Sequence, residues 1–141
     1  MPTPADDDWW LRAENNEPPA MHDEPADPAR HPWDLEERTA IFGEKIVRLP
    51  KKNPRDAANN RLIGQLVGAA TSVGANYREA NESVSKKDFT HSISRCMKES
   101  KETKFFLRMV VAAEPQLADE ARPLCREAHE VLRIFGSMRH K

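Results

Sequence analysis

Apolar residues recur at steps of three and four over four long stretches of this 141-residue chain, and this spacing limits its fold most strongly. Such steps place apolar side chains on one face of an α-helix, which repeats about every 3.6 residues. Prolines and short polar segments separate the stretches. The pattern therefore predicts four helices, at about residues 34–49, 56–82, 86–112 and 116–139.

The connections between the second, third and fourth predicted helices are only a few residues long, so we expect consecutive helices to run antiparallel. No stretch alternates in the way a β-strand does. The expected fold class is all-α, an antiparallel up-and-down four-helix bundle over residues 33–141. The second helix is apolar around more than half its circumference, and so small a domain cannot surround such a helix. The pattern therefore predicts association with further copies of the chain.

The first 32 residues differ from the rest in composition. They contain seven of the eleven prolines and eight acidic residues against two arginines, a net charge of −6. Because the whole chain carries −1, residues 33–141 carry +5. A proline-rich, charged segment with few β-branched residues cannot bury enough apolar surface to offset its ordering entropy. We predict that residues 1–32 form a disordered acidic arm.

Two segments of the predicted bundle resemble a known family. Residues 65–80 read QLVGAATSVGANYREA, and residues 87–89 and 93–103 read KDF and ISRCMKESKET. They resemble the signature of the four-helix bundle proteins linked to 23S ribosomal RNA intervening sequences, over residues 34–138. The resemblance implies an up-and-down bundle that assembles into a homopentamer. It also implies relatives, the accessory variability determinants of retroelements, that bind nucleic acid, although most of the family has unknown function.

Small residues are unusually frequent in the second helix, where glycine lowers helix propensity by about 1 kcal/mol relative to alanine. A close helix–helix contact would compensate for this cost, and a buried Asn76 would help set the register or the assembly state. The residues predicted to line an oligomer interface are Ile63, Val67, Ala70, Gly74, Asn76, Tyr77, Arg78 and Glu79.

Basic residues recur along one face of the third helix and in the loop before the second, and they suggest contacts with phosphates of RNA or DNA. The predicted nucleic-acid-binding residues are Lys51, Lys52, Arg55, Lys86, Lys87, Arg95, Lys98, Lys101, Lys104 and Arg108. Glu99 and Glu102 interleave with the lysines, so a solvated helix face is the alternative interpretation. If the face does bind nucleic acid, the acidic arm could cover it in cis.

Within the arm, Trp9, Trp10 and Leu11 follow three aspartates, as in many short recognition motifs. This motif could dock on its own bundle or on another protein. The second hypothesis for function is therefore an oligomeric scaffold that captures a protein partner through the arm.

We find no residue pattern typical of an enzyme. The helical pair of Cys125 and His129 lacks the companions that a zinc site requires, and Cys96 and Cys125 are expected to be buried reduced thiols. No catalytic residues, metal or cofactor are predicted. No apolar run approaches the roughly 20 residues of a membrane span, so the expected location is cytoplasmic.

Overall fold

Four α-helices account for most of the chain in a computed structural model, which describes residues 9–11, 32–52 and 56–139. They are α1 (Pro32–Arg48), α2 (Ala57–Asn81), α3 (Lys86–Ala113) and α4 (Ala118–Arg139). Short 3-10 turns occupy Trp9–Leu11, Leu49–Lys52 and Pro115–Leu117. The described residues contain no β-strand, so the predicted all-α class is confirmed.

Side-chain caps fix where two of the helices begin. The Asp56 carboxylate accepts a hydrogen bond from the Asn59 backbone N–H at 2.8 Å, and the Ser85 hydroxyl accepts one from the Asp88 N–H at 3.1 Å. Each cap satisfies a backbone donor that the first helical turn leaves unpaired. The Asn59 side chain also donates to Glu114 at 3.0 Å, which ties the beginning of α2 to the end of α3.

Helix α2 is covered on two sides within one protomer, by α1 and by α3. On the α1 side, a Cβ atom added at Gly74 would lie 3.2 Å from the Thr39 hydroxyl oxygen, so any larger residue would require the Thr39 side chain to shift by a few tenths of an ångström. On the α3 side, the Cys96 thiol donates to the Val73 carbonyl at 3.6 Å. The two neighbours together bury the wide apolar surface of α2.

This arrangement corrects part of the predicted oligomer interface. Ala70 and Tyr77 are buried in the core of the protomer, and the Tyr77 ring packs against the Phe135 ring at 5.7 Å. Gly74 belongs to the contact between α1 and α2. The prediction assigned these side chains to a second copy because helical periodicity shows which face is apolar but not which neighbour covers it.

The other predicted interface residues divide between covered and open positions. Ile63 and Val67 are half-buried, and the half-buried Asn76 donates its side-chain N–H to the Ser72 carbonyl at 2.8 Å. Arg78 and Glu79 are exposed. The side-chain N–H of Asn76 is therefore bonded within its own helix.

Two apolar clusters form the core of the described bundle. One includes Phe42, Ile46 and Leu107, and the other includes Tyr77, Ile93 and Phe135. A bidentate ion pair between Arg38 and Glu127, at 2.8 and 2.6 Å, joins α1 to α4 at the surface. The hydrogen bond to Glu127 raises the pKa of Arg38. No helix in the described part of the chain combines the length and the apolar character needed to cross a membrane.

We expect Phe135→Ala to lower the free energy of unfolding by about 3–5 kcal/mol, because it leaves a cavity where the ring is fully buried. The matched control is Phe105→Ala, which removes a ring that is 54% exposed and should cost about 0.5 kcal/mol or less. Urea denaturation followed by circular dichroism measures both. Equal losses for the two variants would contradict the assignment of Phe135 to the core.

Candidate nucleic-acid interface

Lys104 of α3 and His129 of α4 face each other across the two helices. The Lys104 ammonium nitrogen lies 3.2 Å from His129 Nδ1. A charged ammonium group can only donate, so Nδ1 is the acceptor in this hydrogen bond. This contact fixes which side of α3 and which side of α4 meet.

Two more basic side chains of α3 share the side that carries Lys104. At about 100° per residue, Lys101 and Arg108 lie within about 60° of Lys104 around the helix axis. By the same measure, Glu99 and Glu102 fall on the opposite side of α3. Glu99 and Glu102 are therefore separated in space from Lys101, Lys104 and Arg108, although they interleave with them in the sequence.

Helix α4 contributes three arginines to the same region. Arg122, Arg126 and Arg133 are spaced four and seven residues apart, and each lies within about 60° of His129 around α4. We call the resulting surface the basic groove. It consists of Lys101, Lys104 and Arg108 of α3 with Arg122, Arg126, His129 and Arg133 of α4. Its arginines span about 16 Å along α4.

Acidic residues neutralise only part of the basic groove. Arg122 pairs with Asp119 at 2.6 Å, and Arg133 pairs with Glu130 at 3.7 Å. The Nε atoms of Arg122 and Arg126 are shielded from solvent and have no hydrogen-bond partner among the described residues. These two Nε atoms are out of reach of a ligand, whereas the exposed side chains of Lys101 and Arg133 can reach an anionic ligand from solvent.

An exposed aromatic ring lies beside these cations. Phe105 is 54% exposed, and it falls within about 60° of both Lys101 and Arg108 around α3. Its neighbour Phe106 contacts it edge-on at 5.3 Å and is itself partly buried against the core. Exposed aromatic rings among cations are typical of surfaces on which nucleic-acid bases stack.

The Trp turn, Trp9–Leu11, docks on the basic groove of its own chain. Trp10 is only 5% exposed and belongs to a core cluster. Its ring lies 5.0 Å from the His129 ring at an interplanar angle of 38°, and the Lys104 ammonium lies 5.3 Å from the ring centroid. The prediction that residues 1–32 are disordered is therefore wrong for the Trp turn, because burial of the Trp10 indole holds it in place. Residues 1–8 and 12–31 of the arm lie outside the described residues.

The structure brings together only some of the basic residues that the sequence singled out. Lys101, Lys104 and Arg108 join the basic groove. Lys87, Arg95 and Lys98 are exposed on other sides of α3, where Lys98 lies 4.0 Å from Glu102. Lys86 is exposed about 27 Å from Lys104 along the axis. Arg55 and the side chains of Lys51 and Lys52 lie outside the described residues.

The sequence reasoning missed the three arginines of α4 and Phe105. A signal was available, since Arg122, Arg126, His129 and Arg133 follow the same spacing of three and four that marks a helix face. What the sequence lacked was evidence that this face and the lysines of α3 lie side by side.

The two cysteines are buried, and neither belongs to the basic groove surface. Burial raises the pKa of both the Cys96 and the Cys125 thiol to about 12. Among the described residues, no group of three His, Cys, Asp or Glu side chains is placed to hold a metal ion. His129 is instead engaged with Lys104 and Trp10.

We expect both thiols to resist a disulfide reagent at pH 8 in the folded protein and to react once urea unfolds it, because only the thiolate is nucleophilic. Above about pH 9, the unfolded chain loses thiol protons that the folded chain keeps. Stability should therefore fall as the pH rises through this range. Rapid labelling of both thiols at pH 8 without denaturant would contradict their burial.

Comparison with known proteins places the helical region in a family. Residues 34–137 match the family model described as 23S rRNA-intervening sequence protein. A similar solved structure is that of a protein with unknown function from the S23 ribosomal protein family of Bacteroides thetaiotaomicron. It is 23% identical with a TM-score of 0.71, and the match covers 78% of this chain and 98% of that chain. At this identity the likeness concerns the fold alone. No curated protein matches this chain.

Proposed function

This chain belongs to the 23S rRNA-intervening sequence protein family, and we propose that it is a non-enzymatic, homo-oligomeric accessory module that binds RNA or DNA through the basic groove. The observation that carries the proposal is the contact between Lys104 of α3 and His129 of α4, around which helical spacing groups five further lysine and arginine residues. Phosphate oxygens are the natural partners of such a surface.

The distribution of charge supports this function over a solvated helix face. The α3 glutamates lie away from the groove, and residues 33–141 carry a net +5 while the first 32 residues carry −6. An exposed ring, Phe105, stands beside the cations. The scaffold that captures a protein partner through the arm has less support, because Trp10 is already docked on its own chain.

We propose further that the helices form an antiparallel up-and-down bundle. The contacts support this topology, because residue numbers rise in one helix as they fall in the next. Thr39 of α1 meets Gly74 of α2, whereas Gly43 further along α1 meets Thr71. Likewise the beginning of α2 contacts the end of α3 through Asn59 and Glu114.

We place the subunit interface of the proposed homopentamer on the outer face of α2. Gly64, Gly68, Thr71 and Ala75 are exposed there, and a Cβ atom at either glycine would meet nothing within 4 Å. Because these residues have few side-chain atoms, a second copy of the chain could approach α2 closely. Five copies would place five basic grooves around one axis and strengthen the attraction of nucleic acid.

We expect the double variant Lys101→Glu with Arg126→Glu to weaken oligonucleotide binding at low salt by about tenfold or more, because it replaces two phosphate contacts by repulsion. The slope of log affinity against log salt should fall by about two. Fluorescence anisotropy with labelled single-stranded and duplex oligonucleotides measures both quantities.

The matched control for this test is Lys45→Glu with Arg61→Glu, which makes the same charge change on exposed residues of α1 and α2. It should retain most of the affinity. Equal weakening by the two double variants would mean that net charge alone, and not the basic groove, determines binding.

The interface on α2 can be tested with Gly68→Arg, which the isolated protomer should tolerate because the site opens onto free space. We expect the variant to dissociate the oligomer, as measured by light scattering after size exclusion. Ala112→Arg adds the same side chain at an exposed position of α3 and serves as the control. Unchanged assembly of Gly68→Arg would place the interface elsewhere, and a monomeric wild type would overturn the pentamer itself.

A further inference from the structure

The seat of Trp10, formed by Lys104 and His129 in the basic groove, buries a planar aromatic ring beside an imidazole and an ammonium group. We propose that it is a subsite for an unstacked nucleobase of single-stranded nucleic acid, and that Trp10 occupies and closes it in cis. This proposal rests on the proposed function and adds to it the class of ligand and a form of self-inhibition.

Three features of the seat fit a nucleobase as well as they fit an indole. One is a partner ring, since the His129 imidazole lies 5.0 Å from the Trp10 ring. The second is a cation over the ring face, the Lys104 ammonium at 5.3 Å. The third is depth, because the site buries a planar bicyclic ring until only 5% remains exposed. Single-strand-binding proteins likewise combine aromatic rings with cations to hold planar bases.

The residues around the seat favour a nucleotide as the ligand that replaces Trp10. Arg108 and Arg126 lie in the groove toward one end of the Lys104–His129 contact, and Lys101 and Arg133 lie toward the other. A base placed in the seat would therefore have cations on both sides along the groove, where its flanking phosphates would run. A purely apolar peptide would bring no charge to complement these cations.

The present occupant of the seat lies on a short element of the chain. The Trp turn has only three residues, and residues 12–31 separate it from α1. Three aspartates directly precede Trp9 in the sequence, so the segment that carries Trp10 also carries negative charge like that of a phosphate backbone. The turn thus combines a ring and an acidic tether, the two features by which a nucleotide would displace it.

Closure by Trp10 has a measurable consequence for affinity. A ligand that needs the seat must first displace the indole. Its apparent affinity is therefore its intrinsic affinity multiplied by the fraction of molecules in which the seat is open. A duplex keeps its bases stacked and paired, so it would use the cations but not the seat. The two kinds of nucleic acid should therefore respond differently when Trp10 is removed.

The test compares Trp10→Ala with wild type in the full chain, using a labelled pyrimidine single strand and a duplex of equal length. We expect Trp10→Ala to bind the single strand about tenfold more tightly and the duplex with nearly unchanged affinity. Trp9→Ala removes the adjacent, half-buried indole and should give a smaller gain, because Trp10 can still seat. Adding His129→Ala to Trp10→Ala should abolish the gain for the single strand.

A second measurement does not depend on the folding of Trp10→Ala. In a variant with Trp9→Phe and Trp33→Phe, Trp10 is the only tryptophan, and its fluorescence reports the seat directly. Adding the single strand should shift the emission to longer wavelength as the indole moves into water. Adding the duplex should not.

The outcomes separate this proposal from the proposed function. Salt-dependent binding of oligonucleotides with no gain in Trp10→Ala and no emission shift would overturn the base subsite and leave the function standing. An equal gain for single strand and duplex would make the arm a general electrostatic cover and would also overturn it. Capture of a free peptide of residues 1–14 by Trp10→Ala, without any gain for nucleic acid, would identify a peptide site instead. Absence of binding to any oligonucleotide at low salt would defeat both proposals.

Discussion

The burial of α2 between α1 and α3 is the constraint on which the rest of the structure depends. Gly74 lets the Thr39 side chain approach closely on one side, and the Val73 carbonyl accepts from the Cys96 thiol on the other. With both sides of α2 occupied, α4 packs against α3 and α1. The outer surfaces of α3 and α4 then lie next to each other, and the basic groove is a consequence of that packing.

Helix packing also explains why the basic groove is chemically uniform. Glu99 and Glu102 lie on the opposite side of α3 from Lys104. The three arginines of α4 lie on the same side of that helix as His129. Repulsion between the basic residues of α3 and those of α4 is reduced by ion pairs such as that of Arg122 with Asp119. At the centre, the Lys104 ammonium lies within hydrogen-bond distance of His129 Nδ1.

The helices themselves could be predicted closely because they depend on local pattern. The third helix was expected at residues 86–112 and occupies Lys86–Ala113, and the second was expected at 56–82 and occupies Ala57–Asn81. The candidate site was predicted only in part. The three basic residues of α3 were identified from spacing within one helix. The three arginines of α4 belong to the same surface only because α4 packs against α3.

The failed assignment of Ala70 and Tyr77 to an oligomer interface has the same origin. An apolar stripe records that a face is covered, and the same residues satisfy that requirement whether the cover is another helix of the chain or another copy. Only the packed structure distinguishes the two, through burial in the isolated protomer. With these larger side chains buried inside the protomer, the exposed small residues of α2 are the surface that remains for a subunit interface.

The sequence by itself determined the number, the limits and the apolar faces of the helices, and it separated an acidic segment from a basic domain, because periodicity and charge are properties of residues close together in the chain. Tertiary structure decided which faces meet, which cations form one groove and where Trp10 lies. Those outcomes depend on contacts such as Trp10 with His129, between residues more than a hundred positions apart. Local pattern carries no record of such distances, so only packing could establish them.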